Sequence, residues 1–115
     1  MTIDLSYLKS LVGDEPEVIE EMLQIFCEDV PNYLDTMRQA LSSSDWETIA
    51  KTAHTLKSSL GFTGRMDMVE LAEKLQHQKT APDTESVVHE LHAFISKTEE
   101  IIAEFRRRLS VKDFH

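Results

Sequence analysis

One apolar stripe constrains this chain more than anything else in it. Val18, Ile19, Met22, Leu23, Phe26, Val30, Tyr33, Leu34, Met37 and Leu41 recur on the 3.6-residue rhythm of an α-helix. The rhythm holds for six turns, too long and too regular for a strand. Residues that break helices are scarce: 3 Gly and 3 Pro in 115 residues, where a many-turned sheet would need more of both. Three further stripes follow on the same period. The first is Trp46, Ile49, Ala50, Ala53, Leu56 and Leu60, and the second is Met68, Leu71, Ala72 and Leu75. The third runs Val87, Val88, Leu91, Phe94, Ile95, Ile101, Ile102, Phe105 and Leu109.

The boundaries between stripes carry their own signals. Asp4 and Ser6 are expected to cap a short helix from Leu5 to Val12, which Gly13 ends. Asp14 and Glu17, with Pro16 in the first turn, open the second helix, and Pro31 is expected to bend it near residues 27–31. After Ser42-Ser43-Ser44, Ser44 and Glu47 read as a capping box for the third helix. Phe62-Thr63-Gly64 makes a tight turn into a fourth helix from about Arg65 to Lys79. Ala81-Pro82-Asp83 starts the last helix, and Arg106, Arg107 and Arg108 suit the negative pole at its end. Residues 110–115 read as a frayed tail. The expected fold is all-α: an antiparallel up-down-up-down four-helix bundle with a short extra N-terminal helix, one domain over residues 1–115.

Charge and cysteine usage narrow the function. The net charge of −9 repels phosphate backbones, so nucleic acid is excluded as a non-specific partner. Residues 51–79 nevertheless carry a net +2, leaving −11 to the rest. Such an island suits an anion or an acidic partner pocket. Cys27 is the only cysteine, so no internal disulfide can form, and a cytoplasmic setting is expected. Its spacing from Leu23 and Val30 predicts a partly buried thiol. No apolar run approaches a membrane span, and Met-Thr-Ile-Asp-Leu is not a secretory leader. Met1 and the short tail favour a free-standing protein.

The positive island coincides with Ala53-His54-Thr55-Leu56-Lys57-Ser58-Ser59-Leu60-Gly61. At about 100° per residue, His54, Lys57, Ser58 and Gly61 share one helix face. That face holds a nucleophile, a cation and almost no bulk, whereas a core face would carry large apolar groups and a solvated face long charged ones. A neutral imidazole attacks through Nε2 when the proton sits on Nδ1, a tautomer that a hydrogen-bond acceptor fixes. Gln76 is the candidate acceptor. Measured from the Phe62–Gly64 turn, His54 and Gln76 lie at depths of ~10 and ~15 Å, level within about one turn. Lys57 can reach a phosphoryl group on Nε2 and neutralise its charge. Gly61 either admits another protein's surface or simply ends the helix.

His54-Thr-Leu-Lys57-Ser58-Ser-Leu-Gly61 resembles the motif of histidine-containing phosphotransfer (HPt) domains, and the likeness covers nearly the whole chain. The resemblance implies that His54 accepts a phosphoryl group from a receiver-domain aspartyl phosphate and passes it to a second receiver aspartate. It also implies that Lys57 neutralises phosphate, Gln76 orients the ring, and Ser58, Gly61 and Ala50 are docking positions. The implied partners are response-regulator receiver domains and a hybrid sensor histidine kinase, and the implied protein is a monomer without cofactor or metal. Members of the family most often have glycine where this chain has Ser58.

Other classes fit less well. An autokinase needs glycine-rich phosphate loops, and glycine occurs only at 13, 61 and 64. The chain therefore reads as a phosphotransfer intermediate rather than an enzyme, with catalytic machinery and Mg²⁺ supplied by its partners. A di-metal bundle needs Glu-x-x-His pairs, but the residues three before each histidine are Lys51, Lys74, Ser86, His89 and Lys112. The remaining alternative is a helical protein-binding adaptor in which His54 is never phosphorylated.

Overall fold

In the computed structural model, residues 4–78 and 84–114 are described. They form five helices and no strand: α1 (Ser6–Val12), α2 (Pro16–Ser42), α3 (Trp46–Gly61), α4 (Met66–Gln76) and α5 (Thr84–Val111). Helix α1 starts where Asp4 Oδ1 accepts from the Ser6 N–H at 2.8 Å and the Ser6 hydroxyl at 2.6 Å, and Gly13 closes it at φ 89°. The expected Asp14–Glu17 capping box is not formed. Pro16 begins α2, and Asp14 faces Lys9 Nζ at 3.4 Å instead. Helix α2 passes Pro31 as one continuous element.

The cap of α3 lies one residue later than expected. Asp45, not Ser44, accepts from the Thr48 N–H at 3.1 Å and from its hydroxyl. Ser44 closes the previous helix at φ 53°, its N–H on the Leu41 carbonyl. The turn into α4 is built by Thr63, which donates to Leu60 O at 2.6 Å and accepts from the Arg65 N–H at 3.1 Å. Gly64 is required there twice over. Its φ is 74°, and a Cβ would come within 2.9 Å of Tyr7 Cβ. Helix α4 ends at Gln76, short of the expected Lys79, which lies outside the described residues, as does the expected start of the last helix at residues 81–83.

Packing follows the stripes. Helix α2 packs on α3, α3 on α4, α4 on α5, and α5 back on α2, with no close backbone approach between diagonal helices among the described residues. Short connections from α2 to α4 reverse the chain each time, giving the expected antiparallel bundle. Leu23 near the start of α2, Ser59 near the end of α3 and Phe105 near the end of α5 meet Leu8 of α1 at one end of it. Phe94, Leu34, Met37, Leu56 and Leu75 are fully buried in the shared core. Among the described residues, no helix is long and apolar enough to cross a membrane.

The C-terminal tail does not fray as expected. Helix α5 continues to Val111, the Asp113 N–H donates to Arg108 O at 3.0 Å, and Phe114 packs into the core. Arg108 is buried rather than a free terminal cation, its Nε on Glu104 Oε1 at 3.1 Å. Arg107 forks onto the same carboxylate at 2.8 and 3.1 Å. Hydrogen bonds from Arg107, then from Arg108, hold the Glu104 carboxyl down at about 2, against an ordinary 4.5. A carboxyl depressed on folding stabilises the protein above its unfolded value, and that contribution is lost as pH falls from about 4.5 towards about 2. Glu104→Gln should cost about 1–2 kcal/mol at neutral pH. Urea unfolding between pH 5 and 2.5 should then show a flatter acid dependence than the parent.

Candidate functional site

Helix α3 is oriented by its buried side. Ala53, Leu56 and Leu60 are fully covered, and His54 projects on the opposite side, exposed to solvent. No other part of the described chain roofs it. Beside it lies an open concavity of about 600 Å³. Glu47, Ala50, Lys51, His54 and Thr55 of α3 line it, together with Gln76 and His77 at the end of α4. The tight turn at residues 62–64 thus brings Gln76 alongside His54, at the level the helix rise predicts.

The expected Gln76–imidazole hydrogen bond is not formed. Gln76 is half-buried, and its Oε1 is buried with no hydrogen-bond partner. A buried acceptor left unpaired is costly, and Gln76 itself lines the concavity beside His54. Lys57 is half-buried and stands outside the concavity, about 60° round the helix from His54. Ser58 is exposed. Gly61 is the last residue of α3, yet its φ is not in the left-handed region and a Cβ there would meet nothing within 4 Å. Neither the local backbone nor the chain's own packing demands glycine at that position.

Two expectations need correcting. Ala50, expected to be a docking position, is only 3 % exposed. It forms the floor of the concavity rather than a contact surface. The positive island also divides: Arg65, at the far end of α4, is forked onto Asp67 at 2.9 and 2.8 Å. Its charge is engaged there.

Glu47, Lys51 and His77 line the concavity without having been expected there. Glu47 and Lys51 precede His54 by seven and three residues, the same spacings that placed Gly61 and Lys57 after it. They form an exposed ion pair at 3.2 Å. His77 caps α4, its N–H on the Lys74 carbonyl at 3.2 Å, and its side chain is exposed. Adjacency to Gln76 was the only sequence signal for it. Among the described residues, no three His, Cys, Asp or Glu side chains gather as metal ligands would.

At the other end of the strip the surface is apolar. A cleft of about 120 Å³ opens between α1, α2, α3 and α5, with Ile25 and Phe62 partly exposed at its edge. Arranged this way, α3 can offer a nucleophile on an accessible face beside an unpaired acceptor and several charged groups.

Comparison with known proteins returned no match among curated proteins and none among solved structures. The family model for the Hpt domain matches residues 21–101.

Proposed function

Because this chain belongs to the Hpt domain family, whose members are phosphocarrier modules of phosphorelays rather than classical enzymes, we propose that it carries a phosphoryl group on His54 between receiver domains. The Nε2 lone pair attacks the phosphorus of a receiver aspartyl phosphate. An N–P bond forms as the P–O bond breaks, and the bonding pair leaves with the aspartate carboxylate. Positive charge left on the ring is shared with Nδ1–H, which Gln76 Oε1 accepts once the amide turns to it. Transfer to a second receiver reverses these steps. The receivers supply the acidic cluster and Mg²⁺ that the reaction uses. A hybrid sensor histidine kinase stands upstream, and the relay runs in the cytoplasm.

The observation that carries this reading is the uncovered imidazole of His54 on a face with little bulk. Support also comes from Gly61, which the fold does not need, and from the apolar cleft nearby, which suits a docked protein surface. Incubation with phosphorylated receiver domains tests it. Acid-labile label on His54 is the expected outcome; stable binding without label would instead make the protein an adaptor. Lys57→Ala should slow transfer about tenfold or more through lost charge neutralisation. The fold should stay within ~0.5 kcal/mol of the parent, so a clearly larger loss of thermal stability would make Lys57 structural.

A further inference from the structure

The carrier reading gives Lys51 no task, although it lines the same concavity as His54. Around the helix it lies about 60° to one side of His54, with Lys57 about 60° to the other, so two cations bracket the ring. Three residues apart on a helix, Lys51 and His54 have Cβ atoms about 5–6 Å from each other, and the lysine stem is long enough to reach a group on Nε2. Lys51 is held now by Glu47 at 3.2 Å, both side chains 70 % or more exposed. Exposed pairs at this spacing are among the weakest ion pairs in proteins. A phosphoryl group brings about −1.5 to −2 charges and three acceptor oxygens, against one charge on Glu47.

From these positions we infer that Lys51 is a second phosphate-binding residue, tethered by Glu47 in the free protein and released to the phosphoryl group on His54. The inference rests on the carrier reading. Glu47 then acts in the opposite sense, because it lies within about 20° of the His54 direction and repels the incoming anion. The other titratable group lining the concavity is His77 from α4.

The test uses the full chain, phosphorylated with phosphoramidate, and follows the ³¹P chemical shift of phospho-His54 through the phosphoryl group's second ionisation. A nearby cation favours the dianion and lowers that midpoint. Lys51→Gln should raise it by about 0.3–0.5 pH unit, Lys51→Arg should restore it, and Glu47→Gln should lower it. A parallel series carrying His77→Gln keeps the second imidazole from contributing to the curve. An unmoved midpoint in Lys51→Gln, while Lys57→Gln raises it, would overturn the assignment of Lys51 alone. No phosphorus signal from His54 in the parent protein would overturn the carrier reading, and this inference with it. A purely structural role for Lys51 would change neither the midpoint nor its recovery with arginine.

Discussion

On the carrier reading, His54→Gln should remove phosphoryl acceptance, lowering acid-labile label by at least about 10³-fold, because the reacting Nε2 is gone from the exposed face of α3. Glutamine keeps a polar side chain of similar reach but has no ring lone pair to form the N–P bond. His54 is exposed, so thermal unfolding should shift by no more than ~0.5 kcal/mol equivalent. His77 lies in the same concavity and is the natural site for residual label. Peptide mapping after incubation with phosphorylated receivers separates the two histidines. Wild-type label in His54→Gln would move the chemistry elsewhere and end the assignment of His54.

Gly61→Leu should produce the second large effect, on binding rather than folding. A Cβ at Gly61 meets nothing within 4 Å, and the residue already has helical geometry. Replacing a helical glycine gains up to about 0.5–1 kcal/mol of helix propensity, so stability should hold or rise. A leucine pressed into a fitted interface costs about 1–3 kcal/mol, enough to weaken receiver binding about tenfold or more. Gly61→Ala should fall between the two. Calorimetric titration with a receiver domain gives the affinity, and urea unfolding gives the stability. Unchanged affinity for Gly61→Leu would remove the strip from the docking surface.

The helices and their faces were legible because an apolar period survives any tertiary arrangement. Five helices lie where the stripes and breakers place them, and the placing of His54 and Gln76 at one concavity followed from helix rise across a three-residue turn. The failures share a different cause. Ser44 and Asp45 each have a partner three residues on, Glu47 and Thr48, and only the exit of α2 decides which becomes the cap. Phe114 and Arg108 are buried by the end of the bundle, a surface that no local pattern describes. Ala50 is buried within a concavity that α3 shares with the end of α4, which the pattern of α3 alone does not describe. The face that carries His54 also extends backwards along α3 to Lys51 and Glu47, which the motif after His54 does not signal. The Gln76 amide could not be aimed from sequence, since its position depends on side-chain rotation rather than on the backbone.

The ring of His54 opens to solvent on one side of α3, and that would limit how a relay through it could be timed. Two visitors cannot share one nitrogen, so donor and recipient must call in turn, each leaving before the next arrives. On the carrier reading, throughput then depends on how quickly spent partners let go, and a tightly gripping surface would be a slow one.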